Sequence, residues 1–165
     1  MDPTFISKVG ERRYVMTQTS LQKKIVVGVD GSDSSKEALK WAISQAQLSG
    51  DTLEAVIAYD IPMAAYGGLP NGFDLGTHSR NLAEKTVAEV IESTGAHLEI
   101  PIKVIENNPS VALLKASESA DLLVIGSSGH GPFAGTLLGS VAQRCVHHAS
   151  CPVVVVRHRQ DKKFK

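Results

Sequence analysis

The chain has 165 residues, 42% hydrophobic and 21% charged, with 17 Lys plus Arg set against 17 Asp plus Glu. That composition excludes a disordered, collagen-like or membrane-embedded chain, and the charge balance leaves no net field to gather DNA, RNA or an anionic membrane. At this length one core buries about 70% of the unfolded chain's surface, so a single domain is expected to fold without staples.

Residues 1–22 are polar, place Lys8, Glu11, Arg12 and Arg13 without a period, and read as a loose N-terminal extension. Met16 is a candidate alternative start, which would leave residues 1–15 outside the domain. No run reaches the roughly 18 apolar residues of a membrane span, and no uninterrupted apolar core marks a secretion signal. The expected compartment is the cytoplasm.

Five apolar runs then read as strands: Ile25 to Asp30, Leu53 to Tyr59, Ile100 to Ile105, Leu122 to Gly126 and Val153 to Arg157. Their continuous Val, Ile and Leu content predicts burial on both faces, as in a parallel sheet covered by helices. Helical stretches alternate with them. The first follows Ser34, where Ser34 and Glu37 form a capping box ahead of Leu39, Ala42, Ile43 and Ala46. The second runs from about Thr77 to Thr94, with Gly95 as its stop. The third opens with Asn108 as cap and Pro109 at the first helical position. The fourth begins at Gly139 and Ser140 and repeats Val141, Cys145 and Ala149 along one face.

This alternation predicts an α/β fold, an open five-stranded parallel sheet with helices on both faces, Rossmann-like in architecture, over residues 23–158. Residues 159–165 form a basic tail. Ligands on such sheets bind at the carboxyl ends of the strands, where the strand order reverses beside the first strand. The one long connection, Asp60 to Gly76, is rich in glycine and aperiodic; it reads either as a flap over the site or as an inert insertion.

Cys145, His147, His148 and Cys151 match no paired zinc-ligand spacing, so no metal site is expected of them, and a reducing cytoplasm would keep both cysteines as thiols rather than a disulfide. The chemistry is concentrated instead between Ile125 and His148. A buried strand runs into Gly126, Gly129 follows, and Gly139 and Ser140 open a helix. Polyphosphate has to approach the main chain closely enough for N–H groups to bond it, and a Cβ would obstruct that approach. The helix start adds amides, the positive end of its dipole and the Ser140 hydroxyl. Such a site needs little basic charge, and the segment carries only His130 and Arg144. It is not a P-loop, because no lysine follows the final glycine, and the first strand reads GVDGSDSS rather than GxGxxG.

The spacing Gly126, Gly129, Gly139, Ser140 resembles the G-x2-G-x9-G-[S/T] signature of ATP-binding universal stress proteins. Asp30 at the end of the first strand, the ADLLVIGSSG strand, the LLGSV helix start and the HHASCPVVVVR ending are similar to the same family, over about residues 23–158. The resemblance implies strand order 3-2-1-4-5 and a homodimer formed along the last strand, Val153 to Val156. It implies ATP as ligand, with or without Mg2+. Gly28 and Val29 would line the adenine pocket, Asp30 would lie near adenine and ribose, and the main chain of Tyr59 would contact adenine. Gly126, Gly129, Gly139 and Ser140 would hold ribose and phosphates, flanked by Ile125, Ser127, Ser128, His130 and Val141. No DFG-like metal carboxylate or arginine finger accompanies the motif, so a regulatory binder is expected ahead of a slow ATPase or phosphotransferase. AMP and cyclic AMP stand as alternative ligands.

Overall fold

The computed structural model describes residues 22–61, 74–129 and 138–158. The N-terminal extension before Gln22, the tail from residue 159, the middle of the long connection and the loop bearing His130 and Pro132 lie outside these residues. Within them strands and helices alternate: β1 (Lys24–Gly28), α1 (Asp33–Ser49), β2 (Thr52–Tyr59), α2 (Leu75–Thr94), β3 (Ile102–Glu106), α3 (Pro109–Ser117), β4 (Leu122–Gly126), α4 (Ser140–His148) and β5 (Val153–Val156). The strands form one parallel sheet in the order β3-β2-β1-β4-β5.

The twofold alternation of strand side chains divides the core in two. Ile25, Val27 and Val124 point to the face where α1 brings Leu39, Ala42 and Ile43 and α2 brings Ala83, Val87 and Val90. Val26, Val56, Leu123 and Ile125 point to the other face, against Leu113 and Ala116 of α3 and Ala142 and Cys145 of α4. Full burial of each Val, Leu or Ile side chain contributes about 1.5–3 kcal/mol, which is why the central strands read as unbroken apolar runs. Cys145 is fully buried, and that burial pushes its thiol up to about 11. Both cysteines are free thiols.

Several boundaries differ from those expected, each for a local reason. α1 is capped by Ser32, whose hydroxyl accepts from the Ser35 N–H at 3.2 Å, so Ser34 lies inside the first turn. The cap sits early because Asp30 Oδ1 accepts from the Ser32 N–H at 2.9 Å and Gly31 turns through a φ of 82°, a conformation that favours glycine. Glu37 pairs with Lys40 at 2.8 Å instead of closing a capping box. β1 accordingly ends at Gly28, before Asp30. β3 starts at Ile102 because Pro101 has no N–H to donate to the ladder, although its carbonyl still accepts from the Ala55 N–H at 2.9 Å. α2 starts at Leu75, inside the long connection, because Asp74 caps it by accepting from the Gly76 N–H at 2.9 Å and the Thr77 hydroxyl at 2.5 Å. The Asn108 cap, the Pro109 start and the left-handed Gly95 stop stand where the sequence places them.

Among the described strands β5 is an edge strand, with four half-buried valines, and pairs only with β4. Its ladder uses the carbonyls of Pro152 and Val156, which accept from Leu123 and Ser127 at 3.0 and 2.8 Å. By strand alternation, the main-chain groups of Val153 and Val155 face outward.

Candidate functional site

β1 and β4 lie side by side, but the chain leaves β1 for α1 on one face and β4 for α4 on the other. Their carboxyl ends therefore part, and the gap is a cavity of about 460 Å³. That volume falls within the range of small-molecule sites, and it lies where doubly wound sheets place ligands.

Of the residues singled out in the sequence, Gly28, Val29, Asp30, Ile125, Gly126, Ser127, Ser128, Gly129, Gly139, Ser140 and Val141 all line this cavity. Tyr59 does not. Its phenol donates to Glu106 at 3.3 Å, and its carbonyl accepts from the Asn107 N–H at 2.8 Å. Partial burial and the Glu106 carboxylate raise the phenol above its ordinary pKa. His130 lies outside the described residues. The walls also include Ser35, Val56, Ala58, Pro109, Leu113 and Ala142, which the motif reading missed. The signal for two of them was present: Val56 and Ala58 share one face of β2, and Val56 is in register with Gly28 of β1.

The cavity is apolar in its depth and polar at its mouth. Val56, Leu113, Ile125 and Ala142 belong to the core on the α3 and α4 face. Among the described lining residues Asp30 is the only charged side chain. Its Oδ1 holds the Ser32 hydroxyl at 2.5 Å as well as the Ser32 N–H, which fixes the carboxylate at the rim.

The three motif glycines lack side chains for different reasons. At Gly126 a Cβ would lie 2.6 Å from Ser34 Oγ and 2.8 and 2.9 Å from the Ser34 carbonyl carbon and oxygen, so the packing of α1 on β4 excludes it. At Gly129 a Cβ would meet Asp30 Oδ2 at 2.6 Å. At Gly139 it would meet only Ser127 O and Ser128 Cα at 3.4 Å, an ordinary contact. Part of the glycine pattern is therefore a packing requirement of the fold.

The main chain of the motif is partly committed. The Gly139 N–H donates to Ser127 O at 2.7 Å, and the Ser128 N–H donates to Ser34 Oγ at 3.3 Å. Gly139 caps α4 without a side-chain hydrogen bond, so no cap side chain occupies the amides of the first turn at Ser140 and Val141. These amides and the helix dipole give the mouth a positive end without a cationic side chain.

An open parallel sheet with an apolar cavity at its reversal point, and a helix start opening onto that cavity, defines an α/β domain of the doubly wound class. The universal stress protein family model matches residues 22–157, and the chain belongs to that family. A Thermus aquaticus universal stress protein is 37% identical over 137 residues, covering 82% of this chain and 98% of that one. Universal stress proteins of Mycobacterium tuberculosis are 31% identical over 152 residues, and the chain spans about half, 51%, of their length. A universal stress protein solved in complex with cAMP superposes with a TM-score of 0.63 at 27% identity, over 84% of this chain and 98% of that one. The Archaeoglobus fulgidus universal stress protein in complex with dAMP gives a TM-score of 0.54 at 26% identity, over 81% and 97%.

The glycine assignments predict unequal costs. Gly126→Ala should lower the stability of the unliganded protein by about 1–3 kcal/mol through overpacking. Gly139→Ala, at a cap position with room for a methyl group, should cost no more than about 1 kcal/mol. Urea denaturation measures both, and equal losses would contradict the packing assignment of Gly126.

Proposed function

We propose that the chain is an ATP-binding regulatory protein of the stress response, acting in the cytoplasm, with the nucleotide held in the cavity at the ends of β1 and β4. The observation that carries this reading is the meeting of an apolar cavity of about 460 Å³ with the uncapped first turn of α4 at its mouth. The adenine enters between Gly28, Val29 and Ile125, with Val56, Ala58 and Leu113 as further wall. Asp30 accepts from a ribose hydroxyl. The phosphates extend past Gly126 and Gly129 to the amides of Ser140 and Val141. Magnesium, when it accompanies ATP, would be held by the phosphates, and Asp30, the charged side chain among the described lining residues, would offer it a carboxylate through a water. The cAMP and dAMP complexes of relatives support an adenine nucleotide as the ligand class.

A binder is favoured over an enzyme on residue chemistry. Efficient phosphoryl transfer needs a positioned metal, a group that orients the nucleophile, and charge stabilisation at the γ-phosphate. The motif has no P-loop lysine, and Asp30 is the one carboxylate among the described lining residues. One observation favours AMP or cyclic AMP as a second reading: the described wall has no basic side chain to match a triphosphate.

ATP at 100 times its dissociation constant should stabilise the fold by about 2.7 kcal/mol, seen as a clear thermal shift. Gly139→Val should abolish the shift. Competition with AMP and cyclic AMP ranks the ligands, and tighter binding of either moves the assignment to it. Turnover of about 1 per second or faster with magnesium, in the ordinary enzyme range, would overturn the regulatory reading.

We further infer a homodimer through antiparallel pairing of β5 with its symmetry mate, which would cover an otherwise bare apolar edge. Val155→Pro removes one outward-facing N–H while leaving the bonds to β4. It should convert dimer to monomer in light scattering, and an unchanged dimer would place the interface elsewhere.

A further inference from the structure

The peptide joining Ser127 to Ser128 is held from both sides. Its carbonyl accepts the Gly139 N–H at 2.7 Å, and its N–H donates to Ser34 Oγ at 3.3 Å. Ser34 is 4% exposed and sits in the first turn of α1, across the sheet end from α4. Its hydroxyl also donates to the Val156 carbonyl at 3.4 Å, so its one proton and an acceptor lone pair are both in use. The same carbonyl takes the Ser127 N–H at 2.8 Å. The peptide that opens the glycine segment is thus oriented by α1 and β5 through bonds made wholly within the protein.

We propose that Ser34 is a positioning residue for phosphate recognition, clamping the Ser127–Ser128 peptide so that this peptide and the Gly139 N–H bonded to it meet the phosphates in a fixed orientation. This rests on the nucleotide reading of the cavity. Orientation set in advance strengthens binding by removing the ordering cost that a loose segment would otherwise incur. The clamp also takes the Ser128 N–H out of the set of phosphate donors, leaving that task to amides beyond it. Ser34 lies outside the glycine signature and does not line the cavity, so it acts through the peptide it holds.

The dependence on phosphate gives the test. Affinities for ATP and for adenosine, which has no phosphate, are measured by calorimetry on the full chain as wild type, Ser34→Ala and Ser34→Thr. Ser34→Ala should weaken ATP about 5- to 10-fold, the effect of one hydrogen bond, and leave adenosine unchanged. Ser34→Thr, which keeps the hydroxyl, should restore ATP binding. Unchanged or tighter ATP binding in Ser34→Ala overturns the proposal, and so does an equal loss of both ligands, which marks a merely structural serine. If the wild type binds neither ligand, the nucleotide reading itself has failed, an outcome distinct from both.

Discussion

The close approach of the first turn of α1 to the end of β4 is the constraint on which the site depends. Ser34 lies so near Gly126 that a Cβ there would overlap its backbone. From that contact follow the turn of Asp30 and Gly31 into α1, the hold of Ser34 on the Ser128 N–H, and the hydroxyl bond to the end of β5. Three segments far apart in sequence are brought to one edge of the cavity by a single helix–strand contact. A side chain at residue 126 would separate them, because interiors at crystal-like density absorb an extra carbon only by shifting backbone.

The sheet order supplies the cavity and α4 supplies its polarity. With β1 in the middle and paired to both β2 and β4, the crossover through α3 reverses the direction in which strands are added, and among the described residues the diverging ends leave a cavity between them. Apolar residues of β2, β4 and α3 make the depth suited to a flat, weakly polar group. The mouth takes its positive character from main-chain amides. A site of this design is compatible with a formal net charge of zero, because the field that attracts an anion is local and comes from oriented peptides.

Much of this was legible in the sequence. The strand cores followed from runs of Val, Ile and Leu, and the starts and stops at Asn108, Pro109 and Gly95 from capping chemistry that acts within a few residues. Ser34 was misplaced as a cap because three serines stand within four positions, and only the Asx turn of Asp30 selects Ser32 among them. The late start of β3 was written in Pro101. The walls formed by Leu113 and Ala142 were hidden because they come from separate elements and carry no motif. The motif residues line the cavity, yet the motif mixes two causes: spacing alone cannot separate a glycine kept bare by a neighbouring helix, as at Gly126, from one where a methyl group would make only ordinary contacts, as at Gly139.

The central claim is that main-chain amides at the start of α4 and the carboxylate at the end of β1 face the nucleotide. Titration of the 15N-labelled protein with ATP, followed amide by amide in solution, tests it most directly. The largest shifts should fall on Gly129, Ser140 and Val141, with smaller ones at Asp30 and none on β3 or the outer face of α2. Shifts confined to the groove between α1 and α2 around Lys36 and Lys40, or none at all with ATP in the millimolar range, would contradict the account.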